Sequence, residues 1–354
     1  MQGSTRRGAN ARWWLGGAAV LLITVLVLSV GVVLGIRGEP RSPTDAGPAG
    51  SEDPTVASPT PPPALGTPYS RVDDVSLTLP EEVRAAHGTF FIEGGTSYVA
   101  TFAVSTVKPP EEPGLGMYLG VTFSCAGEGG GVTEWIGGTE NLLRGEPVTY
   151  RNQLLLTPEV DQVVSCSVRA NAPYDDVAAA GATIELDIEW RVAEAGGQAV
   201  SSDPEKRLPM TVDRGSRAFA FTEQIELPAH RLQTVTMLSS LHLTTCTVVN
   251  GSREDGRTWC AQDDLDEKGS TFDVELRIDV LDANGDACAV LGTKTVTESL
   301  PLERHHQLLP LAAEFTVPAQ LCGSTLRAAV VVDNRGPASL VVHASNSSLI
   351  TQRR

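Results

Sequence analysis

The chain has 354 residues, 27 of them basic and 43 acidic, for a formal net charge of −16. Residues 1–37 contribute four Arg and no acid, so the remainder holds 23 basic against 43 acidic side chains. A surface this acidic excludes nucleic acid and anionic lipid as electrostatic partners, because both require a basic face.

Residues 1–12 read as a short cytoplasmic tail carrying Arg6, Arg7 and Arg12. Trp13 to Ile36 follows, 24 residues without a charge. A helix of that length reaches roughly 36 Å, enough to cross a ~30 Å hydrocarbon core. The basic excess precedes the span, which predicts a cytoplasmic N-terminus and an extracellular remainder, with Trp13 and Trp14 at the interface. A cleaved signal peptide has an apolar core of about 7–15 residues and a small-residue cleavage site. Here the core is longer and Ile36 runs straight into Arg37, so a single-pass uncleaved anchor at 13–36 is expected. Ser4-Thr5-Arg6-Arg7 hints at a twin-arginine signal, but Ala9 and Asn10 stand where that signal has apolar bulk.

Residues 37–69 form the next segment, with nine prolines between Pro40 and Pro68 among Gly, Ser, Thr and Ala. Such a stretch buries too little apolar surface to offset its ordering entropy. Its Pro-x-Pro steps favour extended polyproline II, so a disordered, semi-rigid stalk is predicted.

After Tyr69 the pattern is almost wholly that of β-strands. Thr183–Trp190, Phe272–Val280 and Thr325–Val332 alternate apolar and polar residues with period two. Asn284-Gly285 is a type I′ hairpin signal. Three segments share a strand running into a Gly-containing turn, at 121–132, 188–200 and 278–290. Each is followed by an alternating strand ending in proline, at Pro158, Pro228 and Pro318. These recurrences predict an all-β fold of tandem antiparallel sandwiches at 70–173, 174–262 and 263–354. The alternative is two larger β-domains, 70–205 and 206–354.

The six Cys form an even set in an oxidising compartment, so disulfides are expected. Fifteen pairings are possible, and the three-unit division suggests the sequential one, Cys125–Cys166, Cys246–Cys260 and Cys288–Cys322. Each loop so closed would stabilise its unit by roughly 2–4 kcal/mol. Cys125, Trp135 and Cys166 resemble the Cys…Trp…Cys layout of immunoglobulin domains, although Val164 stands where a tyrosine belongs. That resemblance implies immunoglobulin-like sandwiches. High Ala, Gly, Arg, Val and Pro usage resembles an actinobacterial protein, and 247–318 looks like the β-modules found outside bacterial membranes.

Little chemistry is visible. Ser105-Thr-Val-Lys108 matches S-x-x-K, but on a strand Ser and Lys three apart face opposite sides. His305-His306 on a strand would also face apart and form an exposed or edge pair rather than a metal site. Gly127–Gly131 lacks a following helix to hold phosphate. Asp282, Asn284 and Asp286 offer oxygens at alternate positions, a weak Ca²⁺ candidate without the usual glycine and distal Glu. Asp263-Asp264-Leu-Asp266-Glu267 is a second acidic run, and Asn250-Gly-Ser252 and Asn346-Ser-Ser348 have the form of glycosylation sequons. No catalytic residue and no cofactor is predicted. The expected function is non-catalytic binding or scaffolding in the cell envelope, with a protein or glycan partner. The alternatives are an accessory or sensing subunit of a transport or secretion complex, and an enzyme acting on the cell wall.

Overall fold

The computed structural model describes residues 66–108, 118–128, 131–172, 181–227, 233–247, 260 and 265–354. The expected tail, the anchor at 13–36 and the stalk up to residue 65 lie outside these residues, as do Pro228, Asn250 and Asp263-Asp264. Among the described residues, no helix is long and apolar enough to cross a membrane.

The first eight strands are β1 (Tyr69–Thr78), β2 (Glu82–Ile92), β3 (Tyr98–Lys108), β4 (Tyr118–Gly127), β5 (Thr133–Asn141), β6 (Thr149–Leu156), β7 (Gln162–Asn171) and β8 (Thr183–Glu194). β1 pairs with β8, β2 with β7, β3 with β6 and β4 with β5, all antiparallel. This is one long antiparallel ribbon folded back on itself. Wrapping it adds β8 against β3 and β7 against β4. The result is two sheets, β1-β8-β3-β6 and β2-β7-β4-β5. That order is an eight-stranded jelly roll.

The same order recurs downstream. The strands are β9 (Gln198–Ser201), β10 (Met210–Val212), β11 (Arg217–Glu226), β12 (Gln233–Thr245), β13 (Ser270–Leu281), β14 (Ala287–Leu300), β15 (His306–Val317), β16 (Thr325–Asn334) and β17 (Leu340–Arg353). Again the outer pairs nest: β10 with β17, β11 with β16, β12 with β15, β13 with β14. The sheets are β10-β17-β12-β15 and β11-β16-β13-β14, with β9 added beside β17. The described chain is therefore all-β, two tandem antiparallel sandwiches.

Strand pairing does not follow a division at 70–173, 174–262 and 263–354. β8 falls in the second of those units, yet its hydrogen bonds go to β1 and β3. β12 falls there too, and pairs with β15 and β17. Pairing changes hands between Ala195 and Gln198. The recurrence at 121–132 and 278–290 leads into equivalent hairpins, β4–β5 and β13–β14, whereas 188–200 is β8 passing into β9. A strand that ends in a glycine turn reads alike in either place.

The immunoglobulin layout is also replaced. Cys125 and Cys166 are bonded, but they sit opposite each other on neighbouring strands of one sheet rather than bridging two. Trp135 is 62% exposed on β5. The core tryptophan is Trp190 on β8, 1% exposed, with ring centroids 5.7 Å from Phe90 and 6.1 Å from Phe123. A bulge in β2 makes room for it. Ala86 there has φ +51°, and its carbonyl accepts the Trp190 indole N–H. Gly88 lies so close that a Cβ would stand 2.7 Å from the indole ring. The alternation predicted for Thr183–Trp190 places Ile184, Leu186, Ile188 and Trp190 inside. Burying each such side chain contributes about 1.5–3 kcal/mol.

The second sandwich has its own core of Phe272, Val274, Leu276, Ile278 and Val280 from β13 against strands of the facing sheet. On the other side of β13, buried Asp279 is held by Arg277 at 2.5 Å and Arg327 at 2.6 Å. The remaining disulfides are Cys246–Cys260 and Cys288–Cys322, the latter tying the start of β14 to the loop before β16. The turn at Asn284-Gly285 is not type I′, for only Gly285 has positive φ, +85°. Asp282 reorganises it: its Oδ1 accepts the N–H groups of Asn284 at 2.8 Å and Asp286 at 3.0 Å.

Candidate functional site

The two sandwiches meet along a seam. Strands β5 and β6, the open edges of the first pair of sheets, pack against β12, β15 and β17. Two glycines on β5 allow the approach. A Cβ on Gly138 would stand 2.6 Å from Leu308 Cδ2, and one on Gly137 2.8 Å from Asn346 Oδ1. Glycine inside a strand marks such close passage. Leu308, from β15, is 1% exposed and completes the first sandwich's core.

Asn152 on β6 pins the seam. Its Nδ2 donates to the Gly137 carbonyl at 2.7 Å and to the Asn346 carbonyl at 2.9 Å. Its Oδ1 accepts from Gln153 N–H at 2.8 Å and from the Ser348 hydroxyl at 3.3 Å. Every hydrogen-bonding position of this buried amide is thus used, half of it across the seam. Gln153 adds a bond from Nε2 to Ser348 Oγ at 3.1 Å.

Opposite Asn152, β17 bulges. Ser348 pairs with Ser240 and His343 with His242, so residues 344–347 face the single residue Leu241. Asn346, at φ +66°, sits in the left-handed region, a conformation that surrounding contacts must hold in place. Ser347 Oγ accepts the His242 N–H at 2.9 Å, and the Ser345 carbonyl lies 3.1 Å from His242 Nδ1.

Ionisable groups gather at one end of the seam. The Tyr150 hydroxyl is fully buried, accepts the Glu140 N–H at 2.7 Å and donates to the Leu119 carbonyl. Burial pushes the Glu140 carboxyl up to about 8, against the opposing pull of Arg304. Thr244 Oγ1 stands 2.8 Å from His306 Nδ1 and 2.7 Å from His343 Nε2. Burial lowers His242 to about 4 and His343 to about 3. His305 and His306 do not form an exposed pair. His305 precedes β15 rather than lying in it, is 2% exposed, and its ring centroid lies 4.5 Å from that of His306, tilted by 52°. Among the described residues, no three His, Cys, Asp or Glu converge as metal ligands. Asp282, Asn284 and Asp286 lie far along the sequence from the seam, in the β13–β14 turn, where the Asp282 carboxylate serves the turn itself.

Two concavities open along the seam. The first is a cleft of about 630 Å³ between β5–β6 and the β9–β17 side. Trp135 stands in its wall, and Val200, 48% exposed, lines it too. Ile136, Leu154, Leu155 and Pro204 add apolar wall, and Ser201, Ser345, Asn346, Gln153, Glu134 and Glu205 supply hydroxyl, amide and carboxylate groups. Partial burial raises the pKa of Glu134. Among the described residues, no Arg or Lys lines this cleft. The second is a groove, also about 630 Å³, on the outer face of β1-β8-β3-β6, walled by Leu238 and Pro310–Ala312 of the other sandwich. Its floor follows the strand register in two rungs. One runs Tyr69, Arg191, Thr101, Gln153, the next Arg71, Glu189, Ala103, Arg151. Both volumes fall in the range of small-ligand sites.

No family model matches the chain, and no curated protein matches it. Among solved structures, the chain is similar to the CBM22-1–CBM22-2 tandem domain of Paenibacillus barcinonensis Xyn10C, at 13% identity over 75% of this chain and 82% of that one, with a TM-score of 0.22. It is similar to a protein described as secreted from Parabacteroides distasonis, at 10% identity over 80% and 88%, TM-score 0.19. It is also similar to N-glycanase F, at 12% identity over 80% and 94%, TM-score 0.33. Identities and scores this low transfer neither fold nor ligand.

Proposed function

We propose that the protein is a membrane-anchored, extracytoplasmic binding protein of the cell envelope, with the Trp135 cleft as its ligand site and a glycan as its partner. The charge-free run at 13–36 supports the anchor, and the proline-rich segment after it supports a stalk that holds the sandwiches away from the membrane. Three disulfides fit an oxidising compartment.

One observation carries the ligand site. Trp135 is 62% exposed in the wall of a cleft that both sandwiches build. An indole left in water at a concave site of mixed apolar and polar lining offers a flat apolar face beside hydrogen-bonding groups. Sugars present that same combination of C–H faces and hydroxyls. With carboxylates and no cation among the described residues of the wall, the cleft suits a neutral or amino sugar better than an anionic one.

The test is titration of the full chain, in detergent, with neutral and amino-sugar oligosaccharides of bacterial cell walls. Trp135→Ala should weaken binding at least tenfold without lowering the melting temperature. Undiminished binding by that variant would remove the cleft as the site. A second reading, hydrolysis of a bound glycan, is favoured by one observation: Glu134 and Glu205 line the same cleft, and Glu134 resists ionisation. Cleaved products that vanish with Glu134→Gln would establish it.

A further inference from the structure

The second groove has the opposite chemistry. Arg151 and Arg191 both line it and both are exposed. Neither makes an ion pair among the described residues. Three nearby acids share Arg71, which lies 2.8 Å from Asp73, 3.8 Å from Glu189 and 4.0 Å from Asp187, and of these Glu189 lines the groove. Two uncommitted guanidinium groups therefore share one concavity on a chain of net charge −16.

Register fixes their placement. Arg191 pairs with Thr101 across β8 and β3, and Arg151 pairs with Ala103 across β6 and β3. They stand two strands apart and one rung apart, on the order of 12 Å between Cα atoms at ordinary strand spacing. The residues between them, Thr101 and Ala103, are small, so the floor between the two arginines is low. Tyr69, 47% exposed, closes the same rung as Arg191.

We infer that this groove is a second binding site, separate from the Trp135 cleft, for an oligosaccharide bearing carboxylates, such as a uronate polymer. Guanidinium forks match carboxylates in plane and charge. The choice of glycan over acidic peptide follows from the sheet. A peptide bound by strand addition needs a free strand edge, and one held by arginines alone is the outcome that poly-glutamate tests. Here the floor is the face of β3, whose backbone is paired on one side with β6 and on the other with β8. Recognition must then run through side chains, and those present are two guanidinium groups, hydroxyl, amide, one phenol ring, the apolar wall of Leu238 and Pro310–Ala312, and the Glu189 carboxylate, which Arg71 faces at 3.8 Å.

The experiment titrates the full chain in detergent with oligogalacturonate, its methyl ester and poly-glutamate. Oligogalacturonate should bind, with affinity falling as salt rises. The Arg151→Ala/Arg191→Ala double variant should bind it at least tenfold more weakly, and the methyl ester should bind the parent chain as poorly. Trp135→Ala should leave this binding unchanged, which keeps the result separate from that of the cleft. Both arginines are exposed, so a retained melting temperature is expected of the double variant. The inference is overturned if oligogalacturonate does not bind, if the double variant or the methyl ester binds equally well, if Trp135→Ala removes the binding, or if poly-glutamate binds as tightly.

Discussion

β5 and β14 hold the same place in the two sandwiches. Each is the fifth strand of its jelly roll and the open edge of its sheet. Their fates differ. From Ile136 onward β5 is mostly buried by the neighbouring sandwich, whereas β14 is exposed along most of its length. Topology offers both edges equally, so the sequence chooses. β5 carries Gly137 and Gly138, which remove the side chains that would hold a partner off, and Glu140 and Asn141, which bond across the gap. β14 carries Lys294, Thr295 and Thr297 in the matching stretch, side chains that keep an edge solvated and unpaired.

The comparison breaks most visibly at Gly138. Gly138→Val sets branched carbon against Leu308, and overpacking of this kind should cost about 3 kcal/mol in urea unfolding, with hydrogen exchange rising in β5 and β15. Asn152→Ala should follow at about 2 kcal/mol, because the carbonyls of Gly137 and Asn346 lose their donor in a buried site.

Glu140 gives an effect of a different kind, a pH dependence. Its folded carboxyl keeps a proton to about pH 8, while the unfolded chain releases it near 4.5. Between these values the folded state binds the extra proton, so stability falls as pH rises, by at most about 1.4 kcal/mol per pH unit. His242 acts in the opposite direction. It titrates near 6.5 unfolded and about 4 folded, so stability is lost as pH falls through that interval. Glu140→Gln should remove the fall in stability toward pH 8 and, between 4.5 and 6.5 where the two intervals overlap with opposite sign, make the loss on acidification steeper. Thr295→Val on β14, the control edge, should change stability by less than ~0.5 kcal/mol. Smallest of all, millimolar Ca²⁺ should leave the melting temperature unchanged, since the Asp282 oxygen nearest the turn already holds two N–H groups.

The β-strands were legible because alternation is a local signal: Thr183–Trp190 and Phe272–Val280 reappear inside β8 and β13 with the expected faces buried. Strand order was not, since nested pairing joins residues more than a hundred positions apart, such as Ser70 and Trp190. Hence the passage at 188–200 reads like the hairpins at 121–132 and 278–290, and Trp135 resembles the tryptophan of an immunoglobulin layout while the core position belongs to Trp190. The candidate cleft was hidden for the same reason, being built from β5, β6, β9 and β17. One clue was present. A Gly-Gly pair within an apolar stretch, Trp135-Ile-Gly-Gly-Thr139, signals close approach of another backbone. Arg151 and Arg191 left no such trace, because single exposed arginines on strands are ordinary until register brings them together.

The central claim is that the seam builds a sugar site around Trp135. Calorimetric titration of the full chain and its Trp135→Ala variant with neutral and amino-sugar wall oligosaccharides tests it most directly. The account predicts saturable binding by the parent chain, a loss of at least tenfold in the variant, and equal melting temperatures. Equal affinity in the two proteins, or no binding by either, would contradict it.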